Sequence, residues 1–593
     1  MYSRLNQSAR LALTVVLFTP AALQPAGAAM PPGNTVEITP GKDIVALVNS
    51  APPGTTFNIH AGTYRLGTPI AAKTGDVFHG QSGAVLSGAR LLTGFQQEGS
   101  NYFVDGQTQR HRVNIEGPKC QPDYPRCGYP EDLYFDDKPL RHVDSLSALG
   151  PGMWYFDYDH SRIYFADNPA GHVVETSVTP AAFQPGPANK VTIEELVIEK
   201  FSTPVMTGAV GGAGTGLGSP EKGADWVVRN CEIRLNHGDG IRVNFGWQIL
   251  HNNIHHNGNL GIGGGVGGGG ANGGGNADSR ILIQNNEVAF NNYAHVSPKF
   301  GAGGIKLVKT RGLVLRGNNS HDNVGSGIHL DINNYNALYD GNTVADNTEQ
   351  GILHEISFAA VARNNKLLRN GSIYPNGSFW LYAANLLSSS SQGLEAYCNY
   401  IEVSAQGGNG ADMLTQHRGD AVASTGNYFH HNTVVFEGNS GVSGAARERE
   451  IENFFAPNNR FDYNAYYLPD LSRKVFSWND KMNTFAQFQA AGEETHGSAS
   501  SKTPSSVPNV VISSPPDQSR VTGAVNVQGK VDDSDSVKQV ELYLDWNLRG
   551  TVRANPFTFS LETDDTQEGP HILAAMAYTG DGARSCYAIS IVK

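Results

Sequence analysis

The chain carries little charge and few cysteines for its 593 residues. Lys, Arg, Asp and Glu make up 17 % of it, the net charge is −12, and there are five cysteines. The negative balance argues against nucleic acid as a partner and gives no general attraction to an anionic membrane. No Cys/His spacing suggests a zinc site.

Long hydrophobic runs are also missing, and this excludes a membrane span. The apolar stretch 11–18 is too short to cross a bilayer, and it follows the basic residues Arg4 and Arg10. Small residues at 26–28 then supply a cleavage site, so 1–29 is interpreted as a signal peptide. We expect the mature protein to be secreted, either periplasmic or extracellular, and to be a monomer.

In that oxidising setting the five cysteines can form disulfides. Cys120 and Cys127 flank six residues and could close a small loop. Cys231 and Cys398 lie about six coils of the repeat described below apart, which at about 4.8 Å per coil exceeds the reach of a disulfide. We therefore expect both to be free or buried, and Cys586 stays unassigned.

A short phrase recurs through the middle of the chain: one or two asparagines, a small gap, another Asn, then Gly-Ile and an alternating run. The steps are about 22 to 24 residues, or about 33 where a loop is inserted, which indicates stacked supersecondary units. Each unit holds short β-rich pieces, and helical spacing is absent between them. The pattern predicts a parallel β-helix with one coil per repeat, in which the asparagines stack at corners as a ladder. They stand at Asn230, Asn252, Asn253, Asn285, Asn286, Asn318, Asn319, Asn342, Asn364, Asn365, Asn399 and Asn432.

The strand after Gly-Ile can be aligned from coil to coil. Gly327-Ile328-His329-Leu330-Asp331 aligns with Gly351-Ile352-Leu353-His354-Glu355. Strand alternation places the apolar residues on the packed interior and the charged residues outside. Lys306 and Arg242 take outward positions in earlier coils, whereas His354 falls inward and is interpreted as a core histidine.

Asp331 and Glu355 occupy the same outward position in consecutive coils. Like charges opposed across neighbouring strands are destabilising by up to about 1 kcal/mol. One interpretation is that both carboxylates are solvated and partly neutralised by Lys306 or His329. The sharper hypothesis is a working carboxyl pair.

The period breaks twice outside these coils. Residues 99–180 are rich in Tyr, Trp, Asp and Pro and are predicted to form an antiparallel β insertion in a β-helix that spans 30–490. A Ser/Pro-rich linker follows at 491–508. Residues 509–593 alternate in short strands with frequent turns, as a β-sandwich does. The fold class is therefore all-β.

Residues 34–470 resemble the right-handed parallel β-helix family of carbohydrate-active proteins, the pectate lyase-like superfamily. The tail resembles bacterial Ig-like modules appended to secreted glycan enzymes. Within the coils, "GIHLDINNYNALYDGN" and "GILHEIS" resemble the β-xylosidase-type hydrolases. That resemblance implies a retaining glycoside hydrolase without a cofactor, in which Asp331 is the nucleophile and Glu355 the acid/base. Those hydrolases often place an aromatic residue where His329 stands.

Two alternatives remain open. A polysaccharide lyase or epimerase acting on uronates is implied by the same superfamily. Lys306 is then the base, His329 takes part in proton transfer, and Asp331, Glu355 and Asn244 bind calcium. The other alternative is a glycan-binding or adhesive β-solenoid without catalysis, for which replacing Asp331 changes nothing catalytic.

In every case the expected partner is a polysaccharide or oligosaccharide. Arg242, Asn244, Lys299 and Trp380 are the candidates for binding it. Lys299 belongs to a local basic cluster, and Trp380 lies in a loop that follows the Glu355 coil. Loops inserted in solenoids often gather on the binding face, so we expect these loops to wall a cleft near the carboxylates.

Overall fold

The computed structural model describes residues 34–184, 186–211, 222–266, 278–374, 383–416, 423–447, 458–502, 507–532 and 537–593. The chain divides into two compact units, one that ends at Thr503 and one that begins at Pro504.

The first unit is a parallel β-helix in which each coil contributes one strand to each of three sheets. Sheet A has thirteen described strands: Thr35–Ile38, Thr56–Ile59, Val77–Gly80, Thr192–Glu194, Val227–Arg229, Gln248–Leu250, Leu282–Gln284, Val314–Arg316, Tyr335–Asp340, Phe358–Arg363, Gln392–Tyr397, Tyr428–His430 and Arg460–Asp462.

Sheet B also has thirteen described strands: Gly62–Arg65, Ala84–Ser87, Val197–Glu199, Glu232–Arg234, Asn253–His255, Glu287–Ala289, Asn319–His321, Thr343–Ala345, Lys366–Leu368, Tyr400–Val403, Thr433–Phe436, Ala465–Tyr467 and Ser498–Ser500.

Sheet C has eleven described strands, the last of which is antiparallel: Gly208–Val210, Asp239–Val243, Leu260–Gly265, Gly303–Val308, Ser326–Asp331, Ile352–Glu355, Ala384–Ser389, Asn409–Thr415, Ser443–Arg447, Phe476–Trp478 and Lys481–Asn483.

The interior of the coil is filled by aligned apolar side chains. In sheet C, Ile262, Ile305, Ile328, Ile352 and Leu386 are register partners from one strand to the next. Each is at most 1 % exposed. Because these residues point inward, their neighbours in sequence point outward, as the alternation predicted.

The recurrent asparagines form ladders at two corners of the coil. Between sheets A and B, Asn252 donates its side-chain amide to Asn286 Oδ1 at 2.9 Å, and Asn286 repeats the contact to Asn318 at 3.0 Å. A second ladder between sheets B and C joins Asn257 to Asn291 at 3.0 Å. The predicted stacking is confirmed for Asn252, Asn286, Asn318, Asn342, Asn365, Asn399 and Asn432. Asn230, Asn285 and Asn364 instead take the left-handed backbone at the corner, and Asn253 and Asn319 lie on strands of sheet B.

Short helices close both ends of the apolar core. Helix Ile44–Ser50 begins after Asp43, whose side chain accepts a hydrogen bond from the Ala46 amide, and it buries Ile44 and Val48. At the other end, helix Phe485–Ala490 has a Thr484/Gln487 capping box and buries Phe488. Capping of both ends keeps apolar surface and strand edges from water. Another short helix, Pro298–Gly301, directly precedes the strand Gly303–Val308 of sheet C.

An insertion interrupts the coils with antiparallel and mixed strands. One sheet contains Ala89–Leu91, Leu133–Phe135, Lys138–Pro139 and Val174–Ser177; the other contains Gln96–Glu98, Asn101–Val104, Arg141–His142, Met153–Asp157 and Arg162–Phe165. Two 3₁₀ turns, Gly117–Lys119 and Leu146–Ala148, join these strands. Its aromatic residues, among them Trp154, Phe156 and Phe165, form a small core of their own.

The disulfide Cys120–Cys127 fastens the loop of this insertion, with Cα atoms 5.6 Å apart, as the spacing suggested. The Cys120 backbone also forms an isolated antiparallel β-bridge with Val296 of the coils. Next to it, the Ser297 amide donates to the Lys119 carbonyl at 2.8 Å. Cys231 is a buried free thiol, as expected, whereas Cys398 is buried but disulfide-bonded.

The second unit is a β-sandwich with its own apolar core, which contains Val527, Val540 and Leu573. One sheet contains Asn509–Ser514, Ala524–Asp532 and Phe557–Glu562; the other contains Ser519–Arg520, Val537–Leu544, Asn547–Val552, Pro570–Thr579 and Arg584–Val592. Within the described residues of both units, no helix has the length and apolar character needed to cross a bilayer.

Candidate functional site

Four chemically active side chains meet on the outer face of sheet C. Asp331 and Glu355 are the last residues of neighbouring strands and are direct register partners. Lys306 is the register partner of His329 on the preceding pair of strands. All four side chains point outward because Ile305, Ile328 and Ile352 take the inward positions.

Each carboxylate of this cluster contacts a basic side chain. Lys306 Nζ lies 3.1 Å from Asp331 Oδ2, and His329 Nε2 lies 2.8 Å from Glu355 Oε2. The four side chains are only 10–14 % exposed. One ligand atom from each of His329, Asp331 and Glu355 lies within 4.8 Å of the others. The Lys306–Asp331 ion pair and the His329–Glu355 hydrogen bond therefore offset the like-charge cost of two adjacent carboxylates, and low exposure strengthens both contacts.

The second oxygen of Asp331 is available. Oδ1 is buried and has no hydrogen-bond partner among the described residues, while Lys306 holds Oδ2. A buried carboxylate oxygen without a donor is costly and uncommon. Such an atom at the centre of an ion-paired cluster indicates a position built to receive a reacting group.

Glu355 is held at both oxygens. Burial alone raises the pKa of Glu355, but the hydrogen bond and charge of His329, assisted by Gln416 and Lys306, lower it well below its ordinary value. The Gln416 side-chain amide donates to Oε1, and it also donates to Ser389 Oγ at 2.7 Å.

Sequence reasoning missed Gln416. Ser389 is the register partner of Glu355, and Leu414 is the register partner of Ser389, so these residues form one outward column. Gln416 lies two residues after Leu414 and therefore faces the same side, next to that column. That column was the signal that could have found it. The strand that carries Leu414, Asn409–Thr415, lies where the Asn and Gly-Ile phrase has faded.

A further buried carboxyl, also missed, stands before the strand that ends at Glu355. Glu349 is 5 % exposed, and Tyr374 donates its hydroxyl to Oε1 at 3.3 Å. Burial raises the pKa of Glu349 to about 7, against the lowering effects of Tyr374 and of the Lys299 and Lys306 charges. The electrostatic contact brings the predicted Lys299, on helix Pro298–Gly301, into the neighbourhood of the cluster.

The other predicted binding residues are spread more widely. Arg242 lies on the outer face of sheet C two strands before Lys306, and Gly263 is the register partner of both. Nη1 of Arg242 donates to Asp239 Oδ2 at 2.7 Å. The Asn244 amide donates to the carbonyls of Lys222 and Gly223 at 3.2 and 3.3 Å, so this side chain shapes a corner and does not join the cluster. Trp380 lies outside the described residues.

His354 is an interior residue, as the alignment predicted. It is fully buried, and Tyr339 bonds its Nδ1 at 3.0 Å, while Nε2 has no partner among the described residues. Burial, with the nearby His329 charge, lowers the pKa of His354 to about 3. His354 is therefore a neutral core histidine.

The donor set of the cluster fits calcium poorly. Calcium takes six to eight oxygen ligands, whereas this group offers one imidazole nitrogen and two carboxylates. The Lys306 ammonium beside Asp331 also opposes a bound cation. A mixed nitrogen and carboxylate set is better suited to a transition metal.

Comparisons with known proteins agree with this architecture. Residues 220–401 match the family model of the right-handed β-helix region, and residues 508–575 match that of the bacterial Ig domain. A solved structure described as XylC in complex with xylose is 14 % identical, with a TM-score of 0.54 over 93 % of this chain and 100 % of that chain. The A-module of the Azotobacter vinelandii mannuronan C-5 epimerase AlgE6 is 13 % identical, with a TM-score of 0.42 over 78 % and 93 %. No curated protein sequence matches this chain.

The two family-model matches and the XylC structure establish the fold. The chain is an all-β protein, a right-handed parallel β-helix followed by a bacterial Ig-like domain, and both predictions are confirmed.

Proposed function

We propose that this protein is a secreted glycan-cleaving enzyme, a retaining glycoside hydrolase that uses Asp331 and Glu355. The observation that carries the proposal is the placement of two carboxylates as register partners with oxygens within 4.8 Å. Retaining glycosidases hold their two carboxyl groups about 5 to 5.5 Å apart, whereas inverting enzymes need a wider gap for water. Its expected substrate is a polysaccharide or oligosaccharide, and the xylose bound in the XylC structure makes xylosides a first choice for testing.

Asp331 is suited to be the nucleophile. Lys306 Nζ holds Oδ2 at 3.1 Å, and Oδ1 has no donor among the described residues. In the first step Oδ1 forms a bond to the anomeric carbon while the glycosidic C–O bond breaks. The leaving oxygen takes a proton in the same step, so the charges balance.

Glu355 and His329 together supply that proton. A hydrogen bond of 2.8 Å between an imidazole nitrogen and a carboxylate oxygen requires a proton between them. Because His329 and Glu355 share this proton, it reaches the leaving oxygen through Glu355. In the second step Glu355 takes a proton from water, the water oxygen bonds to the anomeric carbon, and Asp331 is released.

A screen of purified protein on neutral and uronate glycans, including xylo-oligosaccharides and aryl xylosides, tests the proposal. We expect new reducing ends, no rise in absorbance near 235 nm, and a product that keeps the anomeric configuration by NMR. Asp331→Asn and Glu355→Gln are expected to lower kcat by about 10³-fold or more, because each removes a group that bonds to the reacting atoms.

Asp322→Asn and Glu287→Gln provide matched controls. Glu287 lies on a strand of sheet B and Asp322 directly follows another, and both carboxylates pair with His321. We expect both variants to keep full activity. Inversion of the anomeric carbon, or full activity in Asp331→Asn, would contradict the proposal. Binding without turnover on every glycan would favour an adhesive role.

A uronate lyase or epimerase is the second candidate, because Lys306 and His329 lie next to each other beside the carboxylates. In that reaction one of the two removes the proton at C5 of the uronate. The donor set speaks against the calcium ion expected from sequence, and the Asn244 amide is engaged elsewhere. A lyase would raise absorbance near 235 nm, and Lys306→Met would abolish the rise. An epimerase would change the uronate composition without new reducing ends.

A further inference from the structure

Apart from the carboxylate cluster, a cavity of about 240 Å³ lies where the antiparallel insertion meets the coils. Its polar lining comes from Arg126, Arg141 and His142 of the insertion and from His237, Tyr293 and His295 of the coils. His237 and His295 precede the strands that begin at Asp239 and Gly303. Asp331 and Glu355, in contrast, end their strands, so the cavity is a site separate from the carboxylate cluster.

The two arginines of this cavity lack counterions. No described carboxylate lies within ion-pair distance of Arg126 or Arg141. The Arg141 guanidinium stacks over the Tyr124 ring at 5.1 Å, and its buried Nε has no hydrogen-bond partner in the described part of the chain. Arg126 stacks over Tyr129 at 4.1 Å and reaches only the Asp144 carbonyl, at 3.4 Å. Partly desolvated guanidinium groups without partners are unfavourable in a free protein.

His142 strengthens the same pattern. Both of its ring nitrogens are buried and have no described partner, and its ring stacks on Trp154 at 4.0 Å. The stacking fixes the ring in place. Burial lowers the pKa of His142 well below its ordinary value, so the ring is neutral, and one nitrogen can donate to a ligand while the other can accept from it.

The single acidic residue of the lining is already neutralised. Asp132 contacts His237 Nδ1 at 3.0 and 3.1 Å and accepts a hydrogen bond from the Tyr293 hydroxyl at 2.6 Å. Tyr134 also donates to it, at 3.3 Å. The excess charge of the cavity is therefore positive in a protein whose net charge is −12.

The size and shape of the cavity favour a ring over a bare ion. Its volume corresponds to roughly eight waters at about 30 Å³ each. Tyr124 and His295 stack on each other with ring centroids 3.7 Å apart and present a flat wall. Sugar rings offer apolar faces to such walls, and arginine forks bind carboxylates in bidentate fashion.

We propose that this cavity binds an acidic sugar, with the carboxylate of a uronate held by Arg126 and Arg141 and the ring against Tyr124 and His295. His142 donates to the carboxylate or to a ring hydroxyl. The site does not depend on the catalytic roles of Asp331 and Glu355. It implies that the glycan recognised by this protein carries uronate units.

Titration calorimetry on the whole protein tests the proposal, with glucuronate and galacturonate as ligands and glucose as the neutral counterpart. We expect uronate binding with a Kd on the order of 1 mM or tighter and no binding of glucose. Arg126→Gln and Arg141→Gln are each expected to weaken the binding by about tenfold or more. Arg141→Lys, which keeps the charge, is expected to regain part of the loss.

Arg112→Gln is the matched control, because Arg112 is exposed on the same insertion and has no ion-pair partner among the described residues. It should bind uronate like the unchanged protein, and so should Asp331→Asn, which separates this site from the carboxylate cluster. Equal binding by Arg141→Gln and Arg112→Gln would overturn the proposal. Binding of glucose as tightly as uronate, or of sulfate in place of uronate, would overturn it as well.

Discussion

At the scale of single residues, the acid/base chemistry proposed for Glu355 depends on one hydrogen bond. Burial favours a protonated Glu355, and His329 reverses this preference through a contact of 2.8 Å. The low pKa of Glu355 means that its carboxylate form persists in the free protein until the pH is acidic. His329 therefore sets the pH range in which Glu355 is ionised.

Replacing His329 should change the basic limb of the activity profile. In His329→Leu the effect of burial is no longer opposed by the histidine, so the pKa of Glu355 rises. Glu355 alone then holds the proton for the leaving oxygen, so we expect kcat/KM to fall as the pH rises through this raised pKa, with a lower maximal rate. The measurement is a pH profile on the substrate found in the glycan screen.

His321→Leu is the control for this experiment. His321 pairs with Glu287 across neighbouring coils of sheet B, with Nε2 2.6 Å from Oε1, but lies away from the carboxylate cluster. We expect its profile to coincide with that of the unchanged protein. A basic limb in His329→Leu that coincides with that of the unchanged protein would show that Glu355 does not govern it.

The carboxylate pair could be predicted from sequence because Gly-Ile anchors the alignment of both strands. Asp331 and Glu355 follow Gly327-Ile328 and Gly351-Ile352 at the same distance. Gln416 and Glu349 could not be predicted in this way. Gln416 follows a strand in which the repeat has faded, and Glu349 precedes its strand, at a corner whose geometry is set by neighbouring coils.

At the scale of elements, the asparagine ladder sets the register of the coils. Asn252 donates to Asn286 and to the Val228 carbonyl, both at 2.9 Å, and its Oδ1 accepts the Cys231 amide at 3.0 Å. All of these groups are buried, so each depends on its neighbour in the ladder. The ladder thus satisfies corner backbone groups that no strand pairs.

Asn252→Leu should therefore destabilise the β-helix strongly. The substitution leaves the Cys231 amide and the Val228 carbonyl without these partners. We expect a loss of about 2 to 4 kcal/mol in the free energy of unfolding, measured by chemical denaturation. The adjacent Asn253→Leu is the control, since that side chain is exposed, and its effect should stay within about 0.5 kcal/mol. Similar losses in both variants would refute the role of the ladder.

The elements differ in how far local sequence determines them. The alternating strands of sheet C and helix Ile44–Ser50 follow from patterns within a few residues. The first strand of the insertion, Ala89–Leu91, reads like one more coil. Its place is decided by antiparallel pairing with Glu175–Ser177, a contact between distant parts of the chain. Pairings of that kind leave no periodic signal.

At the scale of the whole molecule, the chain combines a solenoid with a small sandwich. In the solenoid each coil packs mainly on its two neighbours, so the stability of the fold is distributed along the axis. The terminal coils have only one neighbouring coil each, and the capping helices cover their open sides. The sandwich instead has one closed core, whose residues include Val527, Val540, Leu542 and Leu573. A core made only from its own strands predicts that residues 507–593 fold without the solenoid.

Expression of residues 507–593 alone tests this expectation. We expect a β-type circular dichroism spectrum and a single cooperative thermal transition, as small domains of this size show. Leu542→Ala should cost about 2 to 5 kcal/mol, because Leu542 is 1 % exposed, while Leu548→Ala, at 55 % exposed, should change stability by less than about 0.5 kcal/mol. A fragment without a cooperative transition, or one equally sensitive to both substitutions, would mean that the sandwich needs the rest of the chain to form its core.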